Sequence, residues 1–123
     1  MFENQKRWRL LRDVKKGKFC FLIGVDNWSI ELQKSEFDSL YFLLQRINEQ
    51  LLDIKTQLMD EEFITLELEQ LPWHIELEGK KNEWSLRFVF ESQDQTRSFE
   101  MYWPIPIAQN LFYETKNMWE SMD

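Results

Sequence analysis

Hydrophobic positions in this chain follow two alternating regimes. From Trp8 to Leu32 they recur at every second residue in short pieces: Trp8 with Leu10, then Phe19, Phe21 and Ile23, then Trp28, Ile30 and Leu32. Period-two spacing of aromatic and β-branched residues describes strands with one buried face, so three strands are predicted near 7–13, 18–24 and 27–33. Lys15-Lys16-Gly17 supplies the first turn, and Val25-Asp26-Asn27, after Gly24, the second. At Lys34 the period changes. Phe37, Leu40, Tyr41, Leu44, Ile47, Leu51, Ile54 and Leu58 recur at three- and four-residue intervals. That stripe predicts an α-helix over 35–57, about 34 Å long, and Ser35 with Asp38 fits a capping-box start.

After Asp60-Glu61-Glu62 the alternation returns in four segments: Ile64, Leu66 and Leu68; Trp73, Ile75 and Leu77; Trp84, Leu86, Phe88 and Phe90; Phe99, Met101 and Trp103. Pro72, Gly79-Lys80-Lys81-Asn82 and Ser92-Gln93-Asp94-Gln95 mark the turns, which predicts antiparallel strands in meander order. Pro104 and Pro106 stop the last strand and suit a helix start. Ala108, Leu111, Phe112, Thr115, Met118, Trp119 and Met122 then form a second amphipathic stripe.

One internal echo is visible. Gly24-Val25-Asp26-Asn27-Trp28-Ser29-Ile30-Glu31-Leu32 resembles Gly79-Lys80-Lys81-Asn82-Glu83-Trp84-Ser85-Leu86-Arg87-Phe88, a turn feeding a Trp-Ser-aliphatic strand. The expected architecture is therefore α+β: antiparallel β-sheets backed by two amphipathic helices, a strands-then-helix unit repeated as βββα-ββββα. It is one domain, 1–123, with pseudo-repeat halves 7–58 and 62–122.

Composition narrows the function classes. Hydrophobic residues make up 43% and aromatics 15%, including 6 Trp and 10 Phe, which is enough burial to offset chain entropy and exclude wholesale disorder. With only 3 Gly, no glycine-rich phosphate loop can be built, so Walker-type and dinucleotide-type nucleotide sites are out. One Cys cannot form an internal disulfide, the polar start Met1-Phe2-Glu3-Asn4-Gln5-Lys6 lacks a signal-peptide core, and no apolar run approaches a membrane span. A cytoplasmic location with no membrane partner is expected.

The element order looks like the Whirly-type single-stranded-nucleic-acid-binding fold, in which two repeats of a sheet and a helix are joined in one chain. More closely, Trp8-Arg9-Leu10, Trp28-Ser29-Ile30-Glu31-Leu32, Leu58-Met59-Asp60-Glu61-Glu62 and Trp84-Ser85-Leu86-Arg87-Phe88 resemble a family. It is a cyanobacterial and plastid-lineage family of uncharacterised proteins, a domain of unknown function placed in that superfamily. The match spans nearly the whole chain, with Leu-Met-Asp-Glu-Glu as its most specific element. The resemblance implies a fold and carries no residue roles with it.

Charge divides the chain unevenly. The formal charge is −7, yet Lys6, Arg7, Arg9, Arg12, Lys15, Lys16 and Lys18 face only Glu3 and Asp13 in the first eighteen residues. Arg7, Arg9, Lys15, Lys16 and Lys18 with Trp8 could grip a phosphate backbone while the indole stacks on bases. The same residues also suit an edge strand whose charges discourage aggregation, and that reading is preferred. If the apolar residues of 64–77 face the helices, then Glu67, Glu69, His74, Glu76 and Glu78 share the opposite face and repel phosphate.

Catalytic and metal chemistry find little footing. His74 is the only histidine, no metal-ligand spacing is met, and Cys20 sits among Phe19, Phe21 and Ile23 like a small hydrophobe. No catalytic, cofactor or metal residue is assigned, and an enzyme is not expected. Trp28, Trp73, Trp84 and Trp103 fall on apolar parity and read as core with paired indole N–H groups, whereas Trp8 and Trp119 are candidates for a partner-facing patch. The favoured role is a non-enzymatic interaction module for a protein partner or a homo-oligomer. The alternative is single-stranded DNA or RNA binding through the basic amino-terminal strand.

Overall fold

The structure is a computed structural model, described over residues 7–122. Strands β1 (Trp8–Arg12), β2 (Phe21–Val25) and β3 (Trp28–Leu32) form an antiparallel sheet in the order β1-β2-β3. Helix α1 (Lys34–Lys55) follows. Strands β4 (Ile64–Gln70), β5 (Trp73–Lys80), β6 (Glu83–Glu91) and β7 (Ser98–Trp103) then form a second antiparallel sheet in chain order, and α2 (Ile107–Glu120) closes the fold. The α+β class and the doubled strands-then-helix order agree with the periodicity.

Parity sets what is inside. On the first sheet Trp8, Val25 and Trp28 share one row, and Leu10, Ile23 and Ile30 the next, so these side chains point to the same face. Phe21, Ile23, Val25 and Leu32 are buried there, and the Phe21 ring stacks on Phe37 of α1 with centroids 4.2 Å apart. On the second sheet Trp73, Ile75, Leu77, Leu86, Phe88, Phe90, Met101 and Trp103 form the inner face. Helix α1 packs on β4 and β5, while α2 packs on β6 and β7, touches α1 and also reaches β1. Thus α2 ties the two sheets to one core, in which each fully buried large side chain contributes about 1.5–3 kcal/mol.

Three expectations need correction. Helix α1 begins at Lys34 and is not started by Ser35 and Asp38; its third residue, Glu36, reaches back to accept the Gln33 backbone N–H at 2.9 Å. Asp38 is occupied elsewhere, pairing with Lys34 at 3.1 Å and accepting the Trp119 indole N–H at 2.8 Å. Strand β2 begins at Phe21, later than the pattern suggested, because the preceding turn is a short 3-10 helix at Val14–Lys16. There Asp13 accepts the Lys15 N–H at 3.0 Å, and Gly17 adopts a φ of 76°. Of the core tryptophans, Trp73 donates to the Glu36 carbonyl at 3.0 Å, but the buried Trp103 Nε1 has no partner among the described residues.

The internal echo corresponds to two hairpins, β2–β3 and β5–β6. Val25 faces Trp28 across one turn and Lys80 faces Glu83 across the other, so both loops have two residues, and the extra residue of the second copy lies within its paired strands. Gly79, at φ 146°, must stay glycine, since a Cβ there would fall 2.3 Å from the Glu83 carbonyl oxygen.

Candidate functional site

The basic amino-terminal residues are largely consumed by the fold. Arg7 makes a two-pronged pair with Asp26, at 2.8 and 2.9 Å, which raises the guanidinium pKa and lowers that of the carboxylate. Arg9 lies flat across Gly24, where any Cβ would meet its guanidinium, and donates to the Trp28 carbonyl at 2.8 Å. Lys16 pairs with Glu31. Lys15 and Lys18 make no ion pair among the described residues, and the Lys18 ammonium stands 5.7 Å from the Phe19 ring centroid. Trp8 projects to the inner face, opposite to Arg9, and packs half-buried against the core. The structure therefore does not bring Trp8 and Arg9 together on one surface.

Trp119 sits in the seam between the helices. Its ring stacks on Tyr41 with centroids 4.1 Å apart, meets Phe42 edge-on at 5.2 Å and donates to Asp38. Tyr41 donates to Glu120 at 2.8 Å, and burial followed by that carboxylate pushes its phenol pKa up. Cys20 lies half-buried at the core margin.

Sequence reasoning missed Arg97. From the β6–β7 loop its guanidinium donates to the Glu36 carboxylate at 2.7 Å and to the Glu31 carbonyl at 2.8 Å, between the Phe19 and Phe90 rings. It closes a cleft of about 450 Å³ that is lined also by Lys18, Gln33, Ser35, Ser39, Ser92 and Asp94. The cleft's two carboxylates are satisfied internally: Glu36 by Arg97 and the Gln33 N–H, Asp94 by Ser92 and Thr96. No loop periodicity could have announced Arg97.

The open face of the second sheet is the larger exposed feature. Cross-strand register builds it in rows: Thr65, Glu78 and Ser85; Glu67, Glu76, Arg87 and Tyr102; Glu69, His74, Val89 and Glu100. The acids fall where parity placed them. His74 contacts Glu67 at 3.2 Å, whereas Glu69, Glu76, Glu78 and Glu100 form no ion pair among the described residues. Arg87 lies over the Tyr102 ring at 5.0 Å, and Val89 on β6 and Tyr102 on the edge strand β7 are each 42% exposed. Extending the period-two reading to β6 and β7 would have found Arg87, Val89 and Tyr102.

Among the described residues no group of three or more His, Cys, Asp or Glu converges to hold a metal ion, and no helix is long and apolar enough to cross a membrane. The glutamates of the open face stand side by side along strands, a geometry that presents charge to a surface instead of enclosing a cation.

The crystal structure of a protein with unknown function from Prochlorococcus sp. NATL2A, described as from the DUF155 family, is 38% identical and covers 91% of this chain and 93% of its own, with a TM-score of 0.83. That similarity supports a cyanobacterial relationship. No protein of curated function matches the chain. The sequence profile described as a domain of unknown function, DUF1818, matches residues 3–118, and the chain belongs to that family.

Proposed function

We propose that this chain is a cytoplasmic, non-enzymatic protein-interaction module that docks a partner on the open face of β4–β7. The observation that supports the reading is the make-up of that face. Val89 on β6 and Tyr102 on the edge strand β7 are exposed beside Arg87 and Glu100, on a sheet whose other side is covered by both helices. Exposed aromatic and aliphatic side chains set beside an arginine are the residue types that interfaces favour. A second copy is a poor occupant, because face-to-face pairing would oppose glutamates to glutamates.

The Whirly-type likeness makes single-stranded nucleic acid the competing ligand. That reading draws on Lys15 and Lys18, but Arg7, Arg9 and Lys16 are already bonded within the fold. A photo-crosslinking side chain at Tyr102, with a control at Glu49 on α1, tests the docking reading in extract from the source cells. A discrete protein adduct is expected from position 102 only. Equal adducts from both positions, or none from 102, overturn it. Oligonucleotide binding that is lost in Lys15→Ala/Lys18→Ala replaces it with the nucleic-acid role.

A further inference from the structure

We infer that the partner docks as a single extended polypeptide segment added to the free edge of β7, an inference that rests on the docking reading above. Backbone geometry carries it. The Ser92 N–H donates to the Arg97 carbonyl at 2.9 Å, so at this end of the ladder Arg97 faces β6. Antiparallel alternation then turns the backbone groups of Phe99, Met101 and Trp103 towards β6, and those of Ser98, Glu100 and Tyr102 away from it. Strand β7 is the margin of its sheet, and no hydrogen bond from any described residue reaches those outward groups. A row of free N–H and C=O groups at every second residue is the complement of another strand.

What lies beyond the edge selects a lone segment. Strand β3 is also a margin, and the two edges share a cleft of about 510 Å³ without pairing. Its walls include Ile30 and Phe99, half-buried residues on the inner faces of the two sheets, so apolar surface there is incompletely covered. On the far side Arg97 donates to the outward Glu31 carbonyl at 2.8 Å, a side-chain substitute for strand pairing that closes the β3 edge. The slot therefore offers one open ladder. With β3 as its opposite wall it suits one strand, whereas a second copy would bring a whole sheet. The other two margins are guarded by like charges, Arg9 and Arg12 on β1 and Glu67 and Glu69 on β4. Every second side chain of the segment turns inward towards Phe99 and Ile30 and is apolar, and the others turn outward beside Glu100 and Tyr102.

The test uses the full chain and a fluorescein-labelled decapeptide of alternating valine and threonine with a lysine at each end. A counterpart N-methylated at its threonines keeps the side chains but loses the donors that β7 would meet, and oligothymidine is the third probe. Binding is followed by anisotropy and mapped by amide hydrogen exchange. The unmethylated peptide is expected to bind and to slow exchange at Ser98, Glu100 and Tyr102, and the methylated one to bind at least about tenfold more weakly. Glu100→Pro removes one outward N–H and no bond to β6, so it should weaken binding, while Glu100→Gln keeps that N–H and should not. Equal binding of both peptides, protection elsewhere, or no binding overturns the inference. If these amides stay unprotected while the crosslink at position 102 forms, docking stands and strand addition falls; if oligothymidine alone binds, both fall.

Discussion

The Arg97 guanidinium and the Glu36 carboxylate meet at 2.7 Å and join the β6–β7 loop to the first turn of α1, elements 61 positions apart. Their side chains are 28% and 9% exposed, so the pair is largely withdrawn from water. Removing one partner strands the other. Arg97→Ala is expected to lower unfolding free energy by about 2–4 kcal/mol, measured by urea titration. Arg97→Lys keeps the charge but cannot hold both the carboxylate and the Glu31 carbonyl with one planar fork, so an intermediate loss is expected. A loss under about 0.5 kcal/mol for Arg97→Ala would show that the clamp is incidental.

The two close-approach glycines should respond differently. Gly79→Ala meets backbone at Glu83 and a positive φ, neither of which can yield, so a loss of more than about 2 kcal/mol or failure to fold is expected. Gly24→Ala meets only the flexible Arg9 side chain and should cost about 1 kcal/mol as the bond to the Trp28 carbonyl is lost. Thermal melts of the two variants, compared with an Arg9→Ala variant, separate these causes.

Acid should loosen the β6–β7 loop only at low pH. Hydrogen bonds from Ser92 and then Thr96 hold Asp94 down from its ordinary 3.8 to about 2. Because the folded value is the lower one, the stabilisation is complete above the unfolded pKa and fades as pH falls from about 4 towards 2. NMR titration of Thr96 should show a midpoint near 2, and Asp94→Asn should abolish that transition. A midpoint near 4 would contradict the bonding arrangement.

On the open face, two opposed charge pairs should offset each other. Glu76 faces Glu67 on one side and Arg87 on the other, so Glu76→Gln is expected to change unfolding free energy by less than about 0.5 kcal/mol, measured by urea titration. A loss above about 1 kcal/mol would show that the pair with Arg87 outweighs the repulsion from Glu67.

Trp119 gives a fifth contrast. Trp119→Ala should cost about 2–3 kcal/mol through loss of the Tyr41 stack and the Asp38 bond, while Trp119→Phe keeps stacking and should cost about 1 kcal/mol. Equilibrium unfolding measures both, and equal losses would show that the hydrogen bond dominates.

What the amino-acid order made legible follows from periodicity. Alternation located every strand, and the three-and-four spacing located both helices, because burial on one face leaves that imprint in any window of a few residues. It also placed Glu67, Glu76 and Glu78 on the outward side. Cross-chain relationships left no such imprint. Arg97 finding Glu36, Arg9 lying across Gly24 and Trp119 entering the helix seam depend on how distant elements pack, and the local Ser35–Asp38 spacing misled because Glu36 was equally well placed to cap. The intramolecular partners of Arg7, Arg9 and Lys16 lie just as far along the chain and leave no mark in the local pattern.

Strand β4 is a margin of the second sheet, with its outer backbone groups uncovered by any further strand. Two molecules aligning antiparallel along that margin would bring Glu67 and Glu69 of one beside the same residues of the other. Sheet extension through a β4–β4 contact is thereby opposed, and neutralising these acids should make that margin adhesive.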